Sequence, residues 1–550
     1  MVTDMDIMQS NRVPTLRFAT LLLAMLPAMA RADFDIKPSL SSAIYAYGIK
    51  NQTVEADEGM AYEVLPELDL SFRGSWLTTS LNLQSQNLVF DDAQRDNENL
   101  FSYRWSGSAS FLNEALDLQV GARQSNRTAS DSTSRYQDEI SATGDLAKVE
   151  SQFASLSFSH DRFDWAMMDF GLNAVRTKSD QSISVFDEQS GEQVSLENSS
   201  LAGTFGLRTR DRNRKFFWGF EGNATKTERD VRESQYNRRA QGVIGVPFFW
   251  RISMIATGSV ESNSNIAGAS SVFAQYRNHH SVGGGLEWKI TDRSWWNITY
   301  NKVNNAKEAK EYIGTTFELA PSRRTKLTGS LDKRFFGRTA QAKGTYSLKH
   351  LRMELSVSDT VGSLLGFNDG DLESSLFVCP PGVTPGLDNC FQPPTASYIP
   401  GQGERLYNMT RPASDLSEFL VVRRNVSYLL GYDFNRLKLS SRIGQRKDQL
   451  IERNAVREDK FINASANWQL NARSSLTLSA DYSDLIYQVD GKDSFGEMTG
   501  IVKSVSLSLK REINKDLSAN ANLKRIEVDY RSDSRDYQEN RAWVGIEYKF

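Results

Sequence analysis

The chain has 550 residues, of which 39% are hydrophobic, and its 65 Lys and Arg nearly balance its 68 Asp and Glu to give a net charge of -3. Because the basic residues are scattered and not in excess, a nucleic-acid partner is excluded. After residue 33 no apolar run reaches the length of about 20 residues that a membrane helix needs, which excludes a helical membrane protein. The 29 Phe, 19 Tyr and 10 Trp, with only 13 Pro, instead indicate a strand-rich chain.

The N-terminus predicts export. Arg12 and Arg17 precede an apolar core at residues 18–29, and Ala30-Arg31-Ala32 follows the core. This order is typical of a secretory signal peptide, here residues 1–32, with cleavage after Ala32. A buried N-terminal helix is the alternative interpretation. The core is too short to cross a bilayer, because a spanning helix takes about 20 apolar residues.

From Phe34 onwards, stretches of alternating polarity are separated by turn residues, which is typical of half-buried β-strands. In one such stretch the apolar positions are Leu517, Ala519, Ala521 and Leu523, and the polar positions are Ser518, Asn520, Asn522 and Lys524. A soluble β-sandwich would show the same alternation, because its apolar faces point at a second sheet.

Connection lengths favour a barrel over a sandwich. Short links such as 291–293 and 471–473 alternate with longer polar links such as 51–60 and 127–147, as expected for short periplasmic turns and longer extracellular loops. The predicted fold is all-β: one transmembrane, antiparallel, up-and-down β-barrel at residues 33–550, with about 24 strands and a range of about 22 to 26. Such a sheet must close, because hydrocarbon leaves no partner for an edge strand.

The last ten residues form an amphipathic strand. Its apolar positions are Ala542, Val544, Ile546, Tyr548 and Phe550. A terminal strand that ends in Phe resembles the closing strand of bacterial outer-membrane barrels, whose last residue is read by the barrel-assembly machinery. We therefore expect Tyr548 and Phe550 to act as an assembly signal, and we expect this strand to pair with the first strand, which begins at Phe34, in the outer membrane.

The polar strand faces are predicted to line a lumen. The charged residues expected there are Lys343, Lys349, Lys438, Arg442, Lys510, Lys524, Arg541, Glu354, Asp481 and Glu547, with Glu221 among them. Two interpretations stay open: the charges are solvated or mutually paired, or they form a ladder that guides a substrate.

Residues 361–415 form the one long stretch without alternation, and they include seven prolines and both cysteines. We expect Cys379 and Cys390 to form a disulfide that stiffens an exposed loop, since an exported chain reaches an oxidising compartment. This loop can fold into the lumen, cap its mouth or stand outside.

Catalytic and metal-binding signals are absent from the sequence. The four histidines are His160, His279, His280 and His350, and no C-x-x-C or H-E-x-x-H spacing occurs. The prediction is therefore a protein that is not an enzyme, without metal or cofactor. A Ser-His-acid site across neighbouring strands is the alternative.

Two motifs in the middle of the chain carry a family resemblance: APSRRTKL at 320–327 and KRFFGRT at 333–339. They resemble the S-P-R-T and R-F-F-G-x-T pattern of the PEP-CTERM system-associated outer-membrane protein family. YSLKH at 346–350, EFLVVRR at 418–424 and the strand from DYQENR at 536–541 to the C-terminus are similar to later parts of that family. A departure is that Ser322-Arg323-Arg324-Thr325 stands where a Pro-Arg-Thr run is usual.

The resemblance implies an outer-membrane barrel that accompanies exopolysaccharide synthesis. The leading hypothesis is a passive, porin-like conduit or surface component for exopolysaccharide. The alternative is a non-conducting structural or adhesive protein, and an outer-membrane hydrolase comes third. The expected partners are outer-membrane lipids and lipopolysaccharide, the barrel-assembly machinery, and exopolysaccharide with its export apparatus.

Overall fold

The structure is a computed structural model of the chain. It describes residues 33–51, 54–74, 76–92, 95–112, 115–128, 138–141, 146–160, 163, 165–180, 183–184, 193–194, 197–209, 216–229, 234–264, 278–304, 309–322, 324–363, 375–379, 405–409, 420–450, 455–489, 492–493, 499–531 and 536–550. The predicted signal peptide at 1–32 lies outside these residues.

The described residues form a ring of 24 antiparallel strands, which agrees with the predicted fold class and strand number. In chain order the strands are β1 Asp33–Asn51, β2 Val54–Arg73, β3 Leu77–Phe90, β4 Glu98–Phe111, β5 Leu116–Thr128, β6 Leu146–His160, β7 Met167–Ser179, β8 Glu197–Arg208, β9 Phe217–Arg229, β10 Gln235–Phe249, β11 Ile252–Ser264, β12 Asn278–Thr291, β13 Ser294–Asn304, β14 Ala309–Ser322, β15 Thr325–Arg334, β16 Gly337–Ser347, β17 Leu351–Ser363, β18 Leu420–Asp433, β19 Leu437–Leu450, β20 Ala455–Asn471, β21 Ser474–Val489, β22 Gly500–Glu512, β23 Leu517–Tyr530 and β24 Tyr537–Lys549.

The ring closes between its first and last strands, as predicted. β1 pairs antiparallel with β24 from Ser39 opposite Lys549 to Asn51 opposite Tyr537. The backbone N–H of Phe550 donates to the carbonyl of Pro38 at 3.0 Å, which continues the ladder to the last residue. Every strand of the ring therefore has a partner on both sides, which is the condition for a sheet in hydrocarbon.

Side chains alternate between the two faces of the wall. On β24 the apolar side chains of Val544, Ile546, Tyr548 and Phe550 are exposed on the outer face, while Arg541 is buried on the inner face. The same alternation repeats along the other strands, because period-two polarity matches the pleat. The outer face is therefore apolar toward lipid and the inner face polar toward the lumen.

One predicted loop is in fact part of two strands. The link expected at 51–60 is wrong, because β1 runs to Asn51 and β2 begins at Val54. At these strand ends the inner face is apolar and not polar, because Tyr47, Ile49 and Ala61 are buried in one cluster, so the polarity pattern of the rest of the wall is not kept. Asp57, read as loop from the sequence, lies in β2 and is paired with Arg95.

Shorter strands lie between the ring strands. Ile183–Ser184 pairs with Gln193–Val194, and Lys492–Asp493 extends the pairing of β21. In the long loop expected at 361–415, Ser375–Cys379 pairs with Arg405–Met409, so this stretch contains a small sheet. Cys379 ends that strand, but Cys390 lies outside the described residues, so the expected disulfide stays a prediction.

In the part of the chain that the structure describes, no helix is long and apolar enough to cross a membrane.

The wall bends sharply at β12, where Gly283 and Gly285 face inward. A Cβ built on Gly285 would lie 2.0 Å from the carbonyl oxygen of Ile298, which belongs to the backbone of β13. A Cβ on Gly283 would lie 1.9 Å from Oδ1 of Asn301. The absence of side chains at these two positions lets β13 approach β12 closely and makes the inner face strongly concave here.

Candidate functional site: the inner wall of the barrel

Most of the lumen charges expected from the sequence lie on the inner wall in pairs. Lys343 lies 3.2 Å from Glu354, and Lys510 lies 3.6 Å from Glu547. Asp481 accepts a hydrogen bond from Asn463 at 2.5 Å. The register puts Lys438 opposite Asn467 and Arg442 opposite Asn463 on the same face. Glu221 accepts from Gln241, whereas Lys349 lies in the turn between β16 and β17.

Residues 138–141, here called the docked segment, lie against this wall. They belong to the connection between β5 and β6, and they form a turn in which Oδ1 of Asp138 accepts from the backbone N–H of Ile140 at 3.2 Å and of Ser141 at 3.3 Å. An Asp side chain that bonds its own backbone two residues on is a common turn device. The turn presents the Asp138 carboxylate and the Ile140 side chain to the wall.

The Asp138 carboxylate binds two cations from neighbouring strands. Arg541 of β24 donates from Nη1 to Oδ2 and from Nη2 to Oδ1, each at 2.8 Å, and Nζ of Lys524 of β23 lies 3.2 Å from Oδ2. A bidentate guanidinium–carboxylate pair is among the strongest polar contacts in proteins. Arg541 also pairs with the fully buried Glu539 on its own strand. The docked segment is therefore attached to the closing seam of the barrel.

Ile140 anchors the docked segment through apolar contacts. Its side chain is 3% exposed and belongs to a buried cluster at the extracellular end of the first and last strands. The other members of the cluster are Tyr47, Ile49, Ala61, Leu88, Phe90, Leu100, Ile526, Val528 and Tyr537. Burying an Ile side chain contributes about 1.5 to 3 kcal/mol, so this contact is comparable in size to the polar ones.

Arg95 binds the docked segment from the β3–β4 side. Nη1 of Arg95 donates to the carbonyl of Ile140 at 2.5 Å, and Nε donates to Asp57 at 2.9 Å. The guanidinium lies 4.7 Å from the ring centroid of Tyr47 and 5.4 Å from that of Phe90. The segment is thus fixed on opposite sides, by Arg541 with Lys524 and by Arg95.

The two acids of the docked segment respond to pH in opposite directions. Burial alone would raise the pKa of the Asp138 carboxyl, but the charges and hydrogen bonds of Arg541 and Lys524 outweigh it and hold this pKa well below its usual range. Burial raises the pKa of Glu139. Asp138 therefore favours docking at any pH above the ordinary Asp pKa and loses that contribution as pH falls through its lowered value. Glu139 weakens docking as pH rises through its raised pKa.

Beside the docked segment, the inner face carries a pair of aromatic rings. Tyr45 of β1 and Trp543 of β24 are register partners and stack with their centroids 5.7 Å apart. The Tyr45 hydroxyl donates to Glu63, which also accepts from Gln86 at 3.0 Å. Trp543 follows Arg541 on the same face, one step toward the periplasmic end. An apolar surface and a pair of cations therefore adjoin each other on the lumen wall.

A second polar cluster lies in the sharp bend of the wall. Arg334 of β15 donates to Glu261 of β11 at 2.5 Å, and Thr257 of β11 donates to Asn301 of β13 at 3.0 Å. Tyr312 of β14 donates to Asp332 at 2.7 Å. The first two bonds join strands that are not neighbours in the ring, whereas Tyr312 and Asp332 lie on the neighbouring strands β14 and β15, so side chains of β11 to β15 fill the bend.

The adjacent residues His279 and His280 of β12 point to opposite faces of the wall. His279 is buried on the inner face near the bend, whereas the next residue, His280, is exposed on the outer face, as expected for adjacent strand positions. Among the described residues, no group of three or more His, Cys, Asp and Glu side chains is arranged to hold a metal ion.

Sequence reasoning missed the docked segment. It lies in the link predicted at 127–147, and its three anchors are Asp138, Ile140 and Arg95. One weak signal existed, because Ile140 is the only branched aliphatic residue between 129 and 145. The Asp138–Arg541 pair joins positions 403 residues apart, which no local pattern can indicate.

No family model and no curated protein matches the chain, so the family resemblance stays a prediction. Among solved structures, the chain is similar to the ferric-catecholate import receptor Fiu from E. coli K12, with 10% identity, a TM-score of 0.43, and coverage of 94% of this chain and 82% of that chain. The chain is also similar to the siderophore receptor PirA from Acinetobacter baumannii, with 8% identity, a TM-score of 0.42, and coverage of 94% of this chain and 80% of that chain. It is similar as well to the FrpB iron transporter from Neisseria meningitidis, with 8% identity, a TM-score of 0.42, and coverage of 94% of this chain and 83% of that chain.

The chain is an outer-membrane β-barrel, in the location that the sequence predicted. The prediction that the protein is not an enzyme agrees with the names of the three compared proteins, which are two receptors and a transporter.

The predicted exopolysaccharide role is wrong. The compared proteins are named for siderophores, ferric catecholates and iron, and not for polysaccharide, so the porin-like exopolysaccharide conduit or surface component is withdrawn. The structural or adhesive alternative, the hydrolase alternative, and exopolysaccharide with its export apparatus as partners are withdrawn with it.

Proposed function

We propose that the protein is a selective transport protein of the outer membrane, which moves a polar solute through its lumen along a path that the docked segment restricts. The observation that carries this proposal is the attachment of residues 138–141 to the inner wall through Asp138, Ile140 and the carbonyl bound by Arg95.

The strength of that attachment supports selectivity. Separating Asp138 from Arg541 would leave a buried guanidinium without this partner, and such a loss costs about 3 to 5 kcal/mol. Ile140 would also lose its apolar surroundings. A segment held this firmly is released from the wall only when a solute replaces its contacts. The solute shifts the equilibrium between the docked and released states by the difference between its affinities for them.

The inner wall supports transport of a polar solute. Along most strands the inward positions carry hydroxyl, amide and charged side chains, such as Ser504, Ser506 and Lys510 on β22 and Asn520 and Asn522 on β23. Polar groups along the whole path can replace the hydration shell of a solute in small steps.

The test is ion conductance across planar bilayers that contain either the wild-type protein or a variant with Asp138→Asn and Ile140→Ser. We expect the wild-type channel to be closed most of the time. The open fraction of the variant should be at least about tenfold higher, since a loss of about 1.4 kcal/mol in docking free energy changes the equilibrium tenfold. Vesicle uptake of amino acids, small sugars and a ferric catecholate, the class of compound named for Fiu, would then identify the solutes that pass.

The matched control is Asp529→Asn, which breaks an exposed ion pair of 2.7 Å with Lys503 on the outer face. This change should leave conductance as in the wild type. A wild-type protein that already conducts as an open pore would contradict the proposal, and so would a membrane that stays sealed with both the wild-type protein and the undocked variant.

A further inference from the structure

Arg541 and Lys524 form a ready-made set of donors for a carboxylate. The two residues are register partners on β24 and β23, and their side chains are 4% and 22% exposed. Together they give one carboxylate three contacts of 2.8, 2.8 and 3.2 Å. A planar guanidinium with a neighbouring ammonium is the arrangement that recognises carboxylates and related oxyanions.

The donors and the carboxylate belong to different parts of the fold. Both cations are fixed on strands of the closed ring, and Glu539 on β24 also holds the guanidinium of Arg541. Asp138 instead comes from a connection 403 residues earlier in the chain. The positions of the two donors therefore depend on the backbone pairing of β23 with β24, whereas the carboxylate that they bind, Asp138, belongs to a segment outside the ring.

We infer that Arg541 and Lys524 are a binding site for an anionic group of the transported solute, and that Asp138 occupies this site until the solute displaces it. This inference rests on the proposed function and adds the class of solute to it. Asp138 acts as a built-in competitor: its carboxylate holds the site in the absence of solute and leaves when another anion takes its place.

Charge balance selects the class of solute. When a solute carboxylate replaces the Asp138 carboxylate, the buried Arg541 stays paired with an anion at this position. A neutral solute would remove Asp138 without supplying a charge in its place, and a cationic solute would be repelled. The nearby acids already have partners, since Glu63 accepts from Tyr45 and Gln86 and Glu539 accepts from Tyr537 at 2.7 Å. The stacked rings of Tyr45 and Trp543 offer an apolar surface to the remainder of the solute.

The experiment is calorimetric titration of the purified full chain in detergent with succinate, with succinamide as the neutral probe of the same shape. Asp138→Asn should bind succinate at least about tenfold more tightly than the wild type, because the competitor has lost its charge, and should not bind succinamide. Adding Lys524→Met to Asp138→Asn should weaken succinate binding about tenfold while the strand carrying Arg541 stays intact. Asp529→Asn is the control and should match the wild type.

Hydrogen exchange provides a second measurement. Saturating succinate should speed exchange of the Ile140 and Ser141 amides of the wild-type protein, which both donate to the Asp138 side chain. Equal succinate affinity in the wild type and Asp138→Asn would overturn the inference, as would succinamide binding as well as succinate. If succinate does not bind while the undocked variant conducts as expected, the anion site is refuted and the transport function stands. If succinate binds while every bilayer stays sealed, the transport function is refuted.

Discussion

Arg541 connects the closing strand of the barrel to the docked segment. It lies on the last strand, it is buried, and it contacts Asp138 from a distant connection and Glu539 from its own strand. Removing a buried cation that lies between two carboxylates costs more free energy than its contacts alone contribute, because both carboxylates lose that partner. The closing seam of the barrel and the docked segment therefore share one side chain.

Replacing Arg541 with Met tests this dependence. The change leaves the Asp138 and Glu539 carboxylates without their shared cation, so we expect the free energy of unfolding to fall by about 3 to 5 kcal/mol. Urea titration of the protein folded into lipid vesicles measures it. Lys503→Met is the control, because it removes an exposed pair worth about 0 to 1 kcal/mol. Equal losses in both variants would show that Arg541 has no special weight.

At the scale of the strand, the sequence of β12 suits close packing against a neighbouring strand, and the sequence of β24 suits contact with lipid. β12 carries Gly283-Gly284-Gly285, and its inward glycines allow the close approach of β13 that makes the bend. β24 carries an outer apolar face that ends in Phe550, whose ring lies 4.8 Å from that of Tyr548 in an edge-on arrangement. One strand is shaped by its neighbour and the other by the lipid.

Gly285→Ala tests the bend. Its methyl group would lie 2.0 Å from a backbone oxygen, which no rotation of a side chain can relieve, so we expect destabilisation of about 1 to 3 kcal/mol or failure to fold. Gly284→Ala is the matched control, because the nearest atom to its methyl group is 3.6 Å away. The unfolding midpoint in urea distinguishes the two. Similar midpoints for both variants would mean that the strands can separate without cost.

Phe550→Asp tests the predicted assembly signal, which stays a prediction for Tyr548 and Phe550. A charge on the lipid face near the membrane interface costs about 0 to 1 kcal/mol, so the purified and refolded variant should be nearly as stable as the wild type. In cells we expect its amount in the outer membrane to fall severalfold, measured by immunoblotting of membrane fractions. Phe550→Trp should assemble normally. A normal cellular amount of Phe550→Asp would refute the assembly role.

At the scale of the whole molecule, the decisive property is closure. The pairing of β1 with β24 joins the first and last strands of the ring, and it positions Arg541 and Trp543 beside Tyr45 and Tyr47. The lumen site is therefore built at the seam, from residues at opposite ends of the sequence.

A disulfide across the seam tests this register. Ala43 faces Gly545, and a Cβ on Gly545 would lie 3.4 Å from that of Ala43, close to the spacing of about 3.5 to 4.5 Å in disulfides. Ala43→Cys with Gly545→Cys, in a chain with Cys379→Ser and Cys390→Ser, should form a bond that reductant releases on a denaturing gel. Ala43→Cys with Trp543→Cys is offset by two residues and should form none. The opposite pattern would require a different register.

The sequence by itself determined the class of fold, the approximate number of strands and the pairing of the ends. Outer and inner faces meet lipid and water, so polarity alternates with period two and can be read locally. The extents of β1 and β2 were misjudged because the inner face there carries the buried Tyr47, Ile49 and Ala61 in place of polar residues. The docked segment and the bend at β12 were decided only by the tertiary structure. Asp138 meets Arg541, and Gly285 meets Ile298, because the ring closes and curves, and those contacts leave no periodic trace in the sequence.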